Sequence, residues 1–138
     1  MSFQDTNKAL TQAYEDLALG LPTAYEGVTF DPPKTGDWAS LFVLPAINEP
    51  VTLGIGGEDE EEGILQIDFY TEQGHSTDKL LTWASAVQDG MVAGQGYVYG
   101  FTNVWVRSVD RTPIRPDGGW LRITINVNFI ARFERPAI

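Results

Sequence analysis

The sequence predicts an α+β fold, a mixed, mainly antiparallel β-sheet with two helices packed on it and a long acidic hairpin. Three observations predict it. Two segments repeat apolar residues at three- and four-residue steps and run into glycine. The stretch from Leu121 to Phe133 alternates apolar and polar residues at period two. Between two further extended runs stand five consecutive carboxylates, Glu58, Asp59, Glu60, Glu61 and Glu62, flanked by glycines.

Residues 5–19 place Leu10, Tyr14 and Leu17 on one helical stripe, and Gly20 followed by Pro22 supplies the stop. Residues 23–30 form a short strand candidate. The adjacent prolines Pro32 and Pro33 forbid a helix in the turn-rich segment that follows. Residues 38–46 and 51–54 read as extended chain interrupted by Pro45 and Pro50, so this strand bends or lies at an edge, because proline donates nothing to a ladder. Residues 64–70 are nearly continuous in apolar character, as in a strand covered on both faces for part of its length. The acidic run between the two strands reads as the wet end of their hairpin.

Ser76 is a good cap for a second helix, in which Leu80, Ala84, Val87 and Met91 recur at helical spacing and Trp83 widens the stripe. Gly90, Gly94 and Gly96 close it. Residues 97–109 then read as one long strand with a bend at Gly100. The segment Arg115-Pro-Asp-Gly-Gly-Trp120 is a turn, since proline presets one turn position and glycine accepts positive φ. In the last strand Leu121, Ile123, Ile125, Val127, Phe129, Ala131 and Phe133 face a core, while Arg122, Thr124, Asn126, Asn128 and Arg132 face water or a partner.

The 138 residues, 43% of them hydrophobic, suffice for a single domain over 1–138 with one sizeable core. No window approaches the roughly eighteen consecutive apolar residues of a membrane span, and the N-terminus lacks the basic start and apolar run of a secretory signal. There is no cysteine, which removes disulfides and thiolate chemistry together. A net charge of −10 argues against gripping a phosphate backbone. That charge is unevenly placed: residues 1–100 hold sixteen acids against three lysines, and residues 101–138 hold three acids against six arginines. Such a split suits head-to-tail association.

No constellation carries catalysis, a cofactor or a metal. Glu58, Glu60, Glu62 and Gly63 imitate the first, third, fifth and sixth positions of a calcium loop, but its twelfth position, where a bidentate glutamate closes the shell, is Phe69. Exposed charges roughly 6–7 Å apart repel by less than about 1 kcal/mol in water, so the run needs no ion. Gly54, Gly56 and Gly57 lack the lysine of a phosphate loop, and Gly94 with Gly96 follows a helix, the reverse of dinucleotide order. His75 beside Ser76 lacks a nucleophile elbow. A pair such as Glu62 with Asp68 serves acid–base work only inside a shaped pocket. Trp38, Trp83, Trp105 and Trp120 are core or interface residues, since no basic stripe interleaves them.

The order of segments resembles the bacteriophage tail terminator-like proteins, of lambda-terminator-like fold. The matching residues are 17–22, 24–33, Trp38 with 41–45, 52–57, 63–70 and 116–122 leading into the last strand. The acidic run, longer than expected at that hairpin, and the aromatic stretch 97–105 depart from the pattern. The resemblance implies a structural virion protein of the tail and neck, not an enzyme, assembled in the host cytoplasm. It implies a ring of six copies that caps the tail tube, contacts the tube protein and the head–tail connector proteins, and lets DNA through without sequence-specific binding. On this reading Glu58–Glu62 and Arg107, Arg111 and Arg115 are candidate interface or lumen residues. The alternatives are another ring of the neck or head–tail junction, or a monomeric small-molecule-binding domain or hydrolase using carboxylates such as Asp68.

Overall fold

The computed structural model describes residues 2–33, 36–52, 54, 56–74 and 77–134. Two helices, α1 (Ser2–Asp16) and α2 (Asp78–Gly90), lie on one face of a seven-stranded sheet. The strands are β1 (Thr23–Tyr25), β2 (Trp38–Pro50), β3 (Glu58–Glu72), β4 (Gly96–Tyr99), β5 (Thr102–Arg111), β6 (Arg115–Asp117) and β7 (Trp120–Glu134). Their order is β1-β2-β3-β7-β5-β4, with β6 pairing the start of β7. Every pairing is antiparallel except β1 with β2. The mixed, mainly antiparallel sheet with two helices is therefore as the sequence predicts.

The core lies between the helices and one face of the sheet. Leu10, Ala13 and Tyr14 of α1 and Leu80, Ala84 and Val87 of α2 bury against Leu65, Ile67 and Phe69 of β3 and Ile123, Ile125 and Val127 of β7. Helix α1 is pinned to β1 by a hydroxyl relay, in which Thr23 donates to the Leu21 carbonyl (3.0 Å) and accepts from Tyr14 (2.8 Å). The helix ends at Asp16, short of the expected glycine stop, and Ala18 takes a left-handed turn at φ 52°. Thr77 stands at the capping position of α2 without a side-chain cap bond, and the expected cap Ser76 lies outside the described residues, as does His75.

Three expectations about strands change. First, the acidic run is not the wet end of a hairpin. Glu58–Glu62 are the first five residues of β3; Asp59–Glu62 pair with Pro50–Ile47 on one side, and all five pair with Glu134–Ile130 on the other. The chain reverses before Glu58, whose carbonyl accepts from the Val51 amide at 2.8 Å. Second, β2 runs unbroken through Pro45 to Pro50, with a bulge between Pro45 and Ile47. The Val43 amide donates outward to the Glu26 carboxylate, so the same side of the strand two residues on, at Pro45, has no ladder partner to miss. Third, residues 97–109 are a hairpin rather than one strand. Gly100, at φ 59°, takes the first central position of a two-residue turn between Tyr99 and Thr102, where a positive φ is required.

Candidate functional site

Once β3 begins at Glu58, the pleat assigns each carboxylate a face. Glu58, Glu60 and Glu62 share the helix-free side with Gln66, Asp68 and Tyr70, whereas Asp59 and Glu61 share the helix side with Leu65 and Ile67. The two sets meet different fates.

On the helix-free side the acids find arginines within the chain. Glu60 stands directly opposite Arg132, and Arg132 reaches it through both Nε and Nη2 at 3.1 Å. Arg107 occupies a bulge in β5, between Val106 and Ser108, and reaches Glu62 at 3.4 Å. Both pairs are partly solvated, so each is worth only about 0.2–1 kcal/mol. The run is thereby neutralised in part without any ion. Among the described residues no group of three or more His, Cys, Asp or Glu side chains is placed to hold a metal.

On the helix side Glu61 is buried at 5% exposure. Its carboxylate faces a recess of about 360 Å³ lined also by Phe3, Asn7, Val43, Pro45 and Asn48, and no described residue bonds or pairs with it. Burial pushes its pKa above the usual carboxylate range. Between the unfolded and the folded value the folded subunit keeps a proton that the unfolded chain has released, so this group's contribution to stability is fully present below the unfolded value and is lost as pH rises through the folded one, above which the buried carboxylate is charged. Glu61→Gln should therefore raise Tm by roughly 3–5 °C near pH 7, from about 1 kcal/mol of relieved burial, and the gain should vanish near pH 4. Equal melting gains at both pH values in a thermal scan would contradict a charged Glu61 in the recess.

Within one subunit the three candidate arginines lie apart. Arg111 stands opposite Ile125 and Arg115 opposite Arg122, whereas the partner of Glu61 on β7 is Ala131. Six residues of strand separate Ile125 from Ala131, about 20 Å. Of the three, Arg107 meets one of the candidate acids of its own chain, Glu62.

Asp68 is not poised for acid–base work either. It sits six residues from Glu62 on the same strand, roughly 20 Å away. Its buried carboxylate accepts hydrogen bonds from Thr124 Oγ1 (2.5 Å), Gln66 Nε2 (3.1 Å) and Ser40 Oγ (3.3 Å). Next to this row, Trp38 stacks on Tyr70 with centroids 3.9 Å apart and meets Trp120 edge-on at 6.0 Å. The carboxylate is a structural cross-strand tie, which the sequence did not single out. The signal for it is the small hydroxyls Ser40 and Thr124 at matching register positions, legible only after strand pairing is known.

A family described as phage tail terminator protein matches residues 5–129. The chain belongs to the phage tail terminator family. That family is a structural one, and membership makes this chain a component of the virion tail. The matched span takes in α1 from Asp5 onward, all of α2, β3 with its acids, and the three candidate arginines Arg107, Arg111 and Arg115. A solved structure at 19% identity superposes on this terminator chain with a TM-score of 0.78, covering 96% of this chain and 97% of the other, which shows that the two share a fold. No curated protein sequence matches. No helix among the described residues is long and apolar enough to cross a membrane.

Proposed function

We propose that six copies close into a ring that caps the tail tube at its set length, stops further polymerisation, and offers the surface to which the head joins. The family match over residues 5–129 carries this reading. Two properties of the subunit support it. The sheet ends in two different edges, β2 and β5, each left open over part of its length, because β1 covers only Ala39–Leu41 and β4 only Thr102–Trp105. A closed head-to-tail ring uses two different patches per subunit. The net charge of −10 also suits a channel through which DNA passes without being held. The tube protein and the head–tail connector proteins are the partners above and below the ring. The acidic residues Glu58–Glu62 and the arginines Arg107, Arg111 and Arg115 belong to its contacts or its lumen.

Mass measurement and tube assembly test this. Six chains of 15.2 kDa make a particle of about 91 kDa, visible as rings in negative stain. Added to polymerising tube protein, the chain should bind tube ends and arrest growth. Tubes of unchanged length, with no rings at their ends, would overturn the capping role. Rings that bind the connector but never the tube would assign the chain to another position in the neck.

A further inference from the structure

The cations of the described residues nearly all have partners. Lys79 pairs with Asp37, Arg107 with Glu62, Arg122 with Asp117 and Arg132 with Glu60, while Lys8 lies over the Tyr99 ring. Arg111 and Arg115 are exposed, and no described carboxylate pairs with either. Their neighbour Asp110 is engaged by Asn126 and Asn128. The register separates the two arginines. Arg111 is in line with the core residue Ile125 and borders α2, on the helix side of the sheet, whereas Arg115 is in line with Arg122 on the helix-free side.

The opposite edge of the sheet presents the converse. Glu61 is a residue more than nine-tenths buried, whose carboxylate lines a recess between α1 and the open part of β2 and lacks a partner among the described residues. A second recess of about 290 Å³ adjoins it through the shared walls Asn7 and Val43 and adds Glu15 and Glu26. Among the described residues no Lys or Arg lines either one. The groove is therefore an acidic slot with apolar walls, on the same side of the sheet as Arg111.

We infer that Arg111 of one subunit enters the recess over Glu61 of the next. The inference rests on the ring reading and names its contact. The methylenes of the arginine pack on Val43, Pro45 and Phe3, and the guanidinium meets the carboxylate of Glu61 and the amide oxygens of Asn7 and Asn48. A buried carboxylate with no partner among the described residues gains a charged one on assembly, which ties burial of Glu61 to the presence of a neighbour. Slot and arginine lie on opposite sheet edges, so each subunit donates one and receives one.

Native mass spectrometry of Glu61→Gln, Arg111→Gln, the double variant and Arg115→Gln tests the contact. Glu61→Gln and Arg111→Gln should each weaken subunit association at least tenfold, the double variant should be no weaker than either alone, and Arg115→Gln should associate like the parent chain. Arg111 is exposed, so its variant folds whatever becomes of the buried site. As a second measurement, Asn48→Cys with Pro113→Cys, in a chain that has no cysteine of its own, should give a ladder of linked subunits with a short bismaleimide. Rings that form normally in the Glu61 and Arg111 variants, additive losses, or rings that yield no ladder would overturn this contact and leave the ring standing. A parent chain that stays monomeric at high concentration and low salt would overturn the ring and the contact together.

Discussion

Replacing Gly63 by alanine should lower the melting temperature by roughly 10 °C. A Cβ at this position would stand 2.7 Å from the Leu44 carbonyl oxygen and 2.8 Å from Cζ of Phe129, both too close for real contacts. Leu44 O is backbone in the paired strand and cannot rotate away, and Phe129 is a fully packed core ring. Overpacking of this kind costs about 2–3 kcal/mol, and a domain of this size loses about 4 °C per kcal/mol. Gly63 is also the partner of Pro45, where the β2 bulge begins. Forcing the strands apart there moves Pro45 and Asn48, two walls of the Glu61 recess. The variant should thus lose assembly as well as stability, the assembly loss persisting at temperatures where it is fully folded. A melting temperature within 2 °C of the parent, read by circular dichroism, would show that Phe129 and β2 yield at little cost.

Asp68→Ala should destabilise the subunit by about 3 kcal/mol. The substitution removes the acceptor for Thr124, Gln66 and Ser40 at once, and Ser40 and Thr124 are themselves buried. Hydrogen bonds to a charged group contribute about 1.5–3 kcal/mol each, and orphaned buried hydroxyls add a desolvation cost, although losses within one network do not add fully. In urea, with a slope near 2 kcal/mol per M, the midpoint should fall by about 1.5 M. Asp68→Asn keeps the shape and one acceptor oxygen, so its loss should be smaller, about 1 kcal/mol. A midpoint unchanged by Asp68→Ala would mean that the tie is not structural, and would return this carboxylate to consideration for chemistry.

Much of the fold is legible in the residues. The alternation from Leu121 to Phe133 matches β7, whose core-facing residues are all buried apart from the half-buried Leu121. Both helical stripes form helices on the sheet, and the glycines at 118 and 119, both at positive φ, turn β6 back onto β7. These succeed because the signal is local: period, cap and turn residues lie within a few positions of one another. The hairpin at Gly100 was harder, because a single glycine in an aromatic stretch fits a bend as well as a two-residue turn, and only the pairing of Tyr97 with Val104 decides.

The candidate site was less legible. The run Glu58–Glu62 reads as loop because five adjacent acids oppose strand formation. The cost is offset from outside the segment, by Arg132 opposite Glu60 and by Arg107 aimed at Glu62 from a bulge two strands away. Neither partner is near the acids in the chain.

By itself, the sequence determined the fold class, the two helices, the final strand, the uneven charge and the resemblance to tail terminators. Each depends on residue type and order. The tertiary structure decided which acids are neutralised and which is buried without a partner among the described residues. Adjacent residues of a strand face opposite sides of its sheet, so Glu60 meets an arginine and Glu61 faces the recess beside α1 for no reason other than register.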